Sequence, residues 1–177
     1  MRPKALFSIK QRTQNGMTFI EILIALVVLV TGILGAVAMQ ATAKKGSMDA
    51  LQRSVASALT QDILERMRSN DINELGNYAN TYLAAAPAAL TTCFTAGTLC
   101  TPAQLRAEDL VQWQQGLFSL IDGVGCIAVN NNLVTITVSW QGRTSTQDGA
   151  SNNSVAAQGC GSASDSRRQV VLQSFVI

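Results

Sequence analysis

The sequence predicts an α+β protein, in which one long N-terminal helix packs on a small antiparallel sheet of three or four strands. Helical patterning without an intervening proline runs over residues 18–69. A hairpin pattern over 124–129 and 133–141, joined by three asparagines, precedes a third strand pattern over 169–176. Such a sheet needs cover on its apolar face, and the second half of the helix can supply it.

Composition narrows the classes of function. The chain has 177 residues and no histidine, which excludes a Ser/His/Asp hydrolase and a His-ligated metal centre. No grouping of nucleophile, base and orienting residue is visible, so we predict no enzyme, no metal and no cofactor. From residue 70 onward the sequence has four cations and seven acids. Binding to nucleic acid needs clustered cations, so we predict no nucleic acid partner.

An apolar run dominates the first third of the chain. Residues 22–39 carry no charge or strongly polar group, and uncharged residues continue to Ala43. A run of about 18 apolar residues is by default a membrane-spanning helix. Cations flank it unequally, four before and two closely after: Arg2, Lys4, Lys10, Arg12, then Lys44 and Lys45. The positive-inside rule therefore predicts a cytoplasmic N-terminus and an external C-terminal part.

The junction before this run is formed by Gly16, Met17, Thr18, Phe19 and, after one isoleucine, Glu21. A carboxylate at the centre of a bilayer costs about 2.5 to 3.5 kcal/mol, and less near the interface. Thr18 and Glu21 have the spacing of a capping box, and an acid in the first turn complements the helix dipole. Local helix chemistry thus gives one explanation for the acid.

The whole block, with its short basic leader, its glycine and its Thr-Phe-Ile-Glu entry into an apolar helix, resembles a type IV prepilin. The resemblance implies that prepilin peptidase cuts after Gly16 and methylates the new amine of Met17. It also implies that Glu21 pairs with the terminal amine of a neighbouring subunit, with Thr18 and Phe19 in the same assembly motif. Met17 is the first residue of the expected mature chain, where major pilins usually have phenylalanine. Minor pilins and pseudopilins vary more at this position.

The helix end over residues 58–70 is similar to that of PilV-type minor pilins. This implies a priming, tip or shaft subunit of a type IV pilus, with other minor pilins and the major pilin as partners. It implies single-pass anchoring in the inner membrane with a periplasmic C-terminal domain, and later a place in the fibre at the cell surface. The expected segments are a removed leader (1–16), a transmembrane and assembly helix (17–43), its amphipathic continuation (44–69) and a disulfide-bonded globular domain (70–177).

Two alternatives use the same N-terminal residues. A pseudopilin of a type II secretion system would share leader, helix and peptidase, but the sequence shows no calcium-ligand cluster that would favour it. A secretory signal peptide, cut after Ala38 in Ala36-Val37-Ala38, would release a soluble secreted binding protein. That second alternative gives no reason for Gly16 and Glu21.

Several expectations concern the region after Lys45. An apolar stripe is predicted on the helix at Met48, Leu51, Val55, Leu59, Ile63 and Met67. Favourable i,i+4 ion pairs are predicted for Asp49 with Arg53 and for Asp62 with Arg66. Residues 70–101 are expected to be irregular with a turn of helix. A second helix should begin at Thr101, with Trp113 in the core and with Glu108 and Asp109 as solvated acids near its start.

Four cysteines on the external side predict an oxidising compartment and two disulfides. They are Cys93, Cys100, Cys126 and Cys160. Of three possible connectivities we favour Cys93 with Cys100 and Cys126 with Cys160. The polar segment 141–166 resembles the disulfide-bounded variable region of pilins, and we expect it to contact another subunit or a target, with a plain solvated loop as the alternative.

Overall fold

The computed structural model describes residues 16–86, 99–145, 160–162 and 164–177. The chain divides into two compact units, Met1–Ala43 and Lys44–Ile177. A single helix, α1 (Phe19–Ser69), contributes to both units.

The first unit consists, in its described part, of the apolar half of α1 and the three residues before it. Every residue from 16 to 43 is exposed, including large apolar side chains such as Phe19 at 78% and Leu34 at 64%. Among the described residues, α1 is the one helix long and apolar enough to cross a membrane. So much exposed apolar surface requires an apolar environment outside the chain itself.

The second unit is an α+β domain, which confirms the predicted fold class. After α1 come a 3₁₀ helix (Ile72–Tyr78), β1 (Asn80–Leu83), α2 (Pro102–Leu117), β2 (Val124–Asn130), β3 (Leu133–Gln141) and β4 (Arg167–Phe175). The strands form one antiparallel sheet in the order β1-β2-β3-β4. The hairpin and the last strand are where the sequence predicted them.

Strand β1 lies in the stretch expected to be irregular, so that prediction was incomplete. The 3₁₀ helix accounts for the expected helical turn. β1 has only four residues, and Tyr82 alone among them is buried, so there is no alternation to detect. The strand exists because it pairs with β2, from Asn80 opposite Ile127 to Leu83 opposite Val124.

The buried face of α1 differs in part from the predicted stripe. Ile63 and Met67 are buried as expected, but Met48 and Leu51 are 36% and 58% exposed. Leu64, which the predicted stripe omits, is also buried, and small or polar side chains complete the buried face: Gln52, Ala56 and Thr60. Ala56 and Thr60 occupy little space, so burying them lets α1 approach the domain closely.

Trp113 lies at the centre of the core, as predicted, and is fully buried. Its indole N–H donates to the carbonyl of Leu59 at 2.9 Å, and its ring meets Tyr82 edge-on with 5.7 Å between centroids. The predicted start of α2 is also present, with reciprocal capping bonds between Thr101 and Gln104. These contacts join α1, α2 and β1.

The acids of α2 are not solvated, which corrects the sequence prediction. Glu108 and Asp109 are 1% and 4% exposed. Arg66 bridges Asp62 at 2.9 Å and Asp109 at 3.2 Å, so the predicted Asp62–Arg66 pair is present and extends across to α2. Burial lowers the pKa of Arg66, but its bonds to both carboxylates outweigh burial and raise it overall.

The phenol of Tyr78 completes this network by donating to Asp109 at 3.0 Å. Burial raises the pKa of Tyr78 above its ordinary value of about 10. The folded state therefore favours the neutral phenol. This contribution to stability is complete below about pH 10, the ordinary pKa of tyrosine, and it is lost as the pH rises from there through the raised pKa of Tyr78.

We expect Tyr78→Phe to lower the free energy of unfolding at pH 7 by about 1 to 2 kcal/mol, since Asp109 loses a buried donor. Its stability should also fall less steeply above pH ~10 than that of the wild type. Urea unfolding of the full chain in neutral detergent micelles, from pH 7 to 11, measures both effects. An alkaline slope as steep as that of the wild type would contradict this role of Tyr78.

The predicted disulfide between Cys126 and Cys160 is present, with 5.7 Å between the Cα atoms. Arg167, which is 1% exposed, supports it by pairing with Asp122 and donating to the Ser139 hydroxyl. Ser139 in turn donates to the carbonyl of Cys160 at 2.7 Å. The segment that returns from β3 is thus held to the sheet covalently and by a buried arginine.

Two predictions fall on residues outside the described ranges. Cys93 lies there, so its pairing with Cys100 stays a prediction. Most of the proposed contact surface within 141–166 also lies there, namely residues 146–159 and 163.

Candidate assembly site

The residues of the N-terminal motif lie together at the start of α1. Gly16, Met17 and Thr18 precede the helix, and Phe19 is its first residue. The carbonyl of Thr18 accepts the amide N–H of Glu21 at 3.1 Å and that of Ile22 at 3.4 Å. The first turn of the helix therefore closes on the backbone of Thr18 and presents Glu21 at its side.

Nothing in the described fold requires a glycine at position 16. A Cβ atom placed there would meet no atom within 4 Å, and the backbone is not in the left-handed region. By contrast, Gly161 has a φ of 85° and lies against the guanidinium of Arg167. The glycine before Met17 is therefore explained by something other than packing, and recognition of the junction by an enzyme is such a reason.

Glu21 is the one acid between residues 17 and 43. It is exposed, and its neighbours Phe19, Ile20 and Leu23 are exposed apolar side chains. No ion pair within the described residues engages it. A carboxylate carried into an apolar environment is strongly stabilised by a cation, so this position favours binding a positive group from outside the described chain.

In the described ranges, no group of three or more Cys, Asp or Glu side chains is placed to hold a metal ion. The acids Glu108 and Asp109 are buried rather than in an open cleft. Asp109 pairs with Arg66 between α1 and α2, and Glu108 accepts the side-chain amide of Gln112 within α2.

Two family models match adjoining parts of the chain. The prokaryotic N-terminal methylation motif matches residues 11–37, which contain the whole junction from Gly16 to Glu21. The model described as type IV pilin Tt1218 matches residues 38–111. No curated protein and no solved structure gives a significant match.

An exposed apolar helix with one acid in its first turn, continuing into an α+β domain, defines the class of pilin-like subunits. The two matches, which together span residues 11–111, support a type IV pilin. A pilin with this motif implies processing by prepilin peptidase and assembly with other pilins.

Proposed function

We propose that the chain is a minor pilin, processed by prepilin peptidase, that takes part in type IV pilus assembly as a priming, tip or shaft subunit. The observation that carries the proposal is Glu21, a lone carboxylate at the entrance of a fully exposed apolar helix. The likeness of residues 58–70 to PilV-type minor pilins supports the choice of a minor subunit. Cleavage after Gly16 frees the amine of Met17, which supplies the cation that a neighbouring Glu21 needs.

In this proposal the chain is a single-pass protein of the inner membrane before it enters the fibre. The N-terminus lies in the cytoplasm, and the domain with the Cys126–Cys160 disulfide lies in the periplasm, where disulfides persist. The unequal cations on the two sides of the apolar run support this orientation. Other minor pilins and the major pilin are the proposed partners.

Mass spectrometry of the mature N-terminus tests the processing step. Co-expression with active prepilin peptidase should give a chain that begins at N-methylated Met17, without residues 1–16. Gly16→Val should retain the leader, because a branched side chain obstructs cleavage, whereas Gly46→Ala, which also meets open space, should be processed normally.

Two outcomes would reject the proposal. A leader retained in the wild type beside an active peptidase would exclude the pilin pathway, and a chain starting at Met39 would establish the secreted alternative. Recovery of the processed chain in sheared pili distinguishes a minor pilin from a pseudopilin, which would stay with the secretion machinery.

A further inference from the structure

Ion pairing divides the cations of the second unit into two groups. Residues 44–177 contain nine Lys and Arg side chains. Five of them form ion pairs with acids: Arg66, Arg68, Arg106, Arg167 and Arg168. The other four are exposed and have no ion pair within the described residues: Lys44, Lys45, Arg53 and Arg143.

Three of the four unpaired cations lie around one carboxylate. Lys45, Asp49 and Arg53 follow one another at intervals of four residues on α1, so they share one helix face. The backbone N–H of Arg143 donates to Asp49 at 3.2 Å, which brings the end of β3 onto that face. Lys44 precedes Lys45 on the same helix turn but lies on a different face, so it extends the basic cluster toward the apolar run rather than joining the Asp49 face.

Asp49 does not neutralise this cluster, because its carboxylate is already engaged. It accepts the hydroxyl of Thr144 and the guanidinium of Arg168, each at 3.0 Å, and its side chain is 12% exposed. The Asp49–Arg53 pair predicted from sequence is therefore replaced by a pair with Arg168. Within the described part of the loop between β3 and β4, exposed Asp165 is the one further acid, and it accepts the hydroxyl of Ser166 at 3.4 Å.

We propose that the basic cluster, defined as Lys44, Lys45, Arg53 and Arg143, binds the phosphate headgroups of anionic phospholipids. The inference rests on the proposed membrane anchoring. Lys44 directly follows Ala43, the last residue of the apolar unit, and Arg53 lies only about 13 Å further along the helix at ~1.5 Å per residue. Lys44 and Lys45 are therefore next to a membrane surface when the apolar run spans the bilayer, and Arg53 lies further from it.

The local arrangement, rather than the net charge, supplies the attraction. Residues 44–177 hold nine cations and ten acids, a formal charge of 9 − 10 = −1. At physiological salt, charges more than about 8 Å from a phosphate are largely screened. Only cations close to the headgroups contribute fully, so Lys44 and Lys45 supply most of the attraction, and Arg53, about 13 Å further along the helix, adds less.

Native mass spectrometry of the full chain in neutral detergent micelles, titrated with short-chain lipids, tests the proposal. We expect phosphatidylglycerol to bind at least tenfold more tightly than phosphatidylcholine. Lys44→Gln/Lys45→Gln should weaken phosphatidylglycerol binding by roughly 10- to 25-fold, at about fivefold per cation. The matched control Arg68→Gln/Arg106→Gln removes the same charge from paired positions and should change binding less than twofold.

Three results would overturn the proposal: equal binding of the two lipids, an equal loss of binding in the control, or tighter binding of a hexaglutamate peptide than of phosphatidylglycerol. The last would assign the cluster to an acidic protein partner. The cluster is present before and after cleavage after Gly16, and the two double variants carry the same leader with its four cations, so the difference between them does not depend on cleavage. A failure of processing and a failure of lipid binding are therefore distinguishable.

Discussion

Glu21→Ala is expected to leave membrane insertion and processing intact while preventing incorporation into fibres. Removing the carboxylate makes entry of the helix into the bilayer easier, since a charge near its end no longer has to be desolvated. In the fibre, the amine of Met17 on a neighbouring subunit would be left without its counter-charge. Breaking a buried ion pair on one side costs about 3 to 5 kcal/mol, so incorporation should fall more than about a hundredfold.

Immunoblots of sheared pili and of membranes measure this loss, and the mass of the N-terminus verifies processing. Glu65→Ala is the matched control, because it also removes a carboxylate from α1 but at a side chain that is 67% exposed and pairs with Arg68. It should enter fibres normally. If Glu21→Ala is incorporated into fibres normally, Glu21 contributes only to the start of the helix, and the proposed role in assembly is wrong.

Features set by neighbouring residues were predictable from the sequence. α1 begins at Phe19, one residue from the predicted start, because an uninterrupted helical pattern is a local signal. The capping residues before α2 and the alternation in β3 are local in the same way. The N-terminal methylation motif was also predictable, since Gly16 and Glu21 lie within six residues of each other at the edge of an apolar run.

Features set by distant residues were not predictable. Asp49 pairs with Arg168, 119 residues away, instead of Arg53 one turn along the helix. Asp109 is buried because Arg66 and Tyr78 reach it from other elements. The basic cluster was not predictable for the same reason. Its cations can be recognised only when the fold shows which acids already pair with other residues.

Gly125→Val, at the one glycine in the described strands, is expected to lower the free energy of unfolding substantially. A Cβ at this position would lie 2.3 to 2.9 Å from three ring atoms of Trp113. The ring cannot withdraw easily, because it is fully buried and its N–H is bonded to the carbonyl of Leu59. Overpacking of this kind lowers the free energy of unfolding by about 1 to 3 kcal/mol or more. Because the indole is rigid, we expect the loss for Gly125→Val to lie at the upper end of this range.

Urea unfolding in neutral detergent micelles, followed by tryptophan fluorescence, measures this loss as a lower midpoint. Gly46→Ala on α1 provides the comparison, since a Cβ there meets open space and alanine favours a helix over glycine by about 1 kcal/mol. That variant should be as stable as the wild type or slightly more so. If Gly125→Val unfolds at the wild-type midpoint, the indole is not fixed by Leu59, and the close approach of β2 to Trp113 does not determine how α2 packs on the sheet.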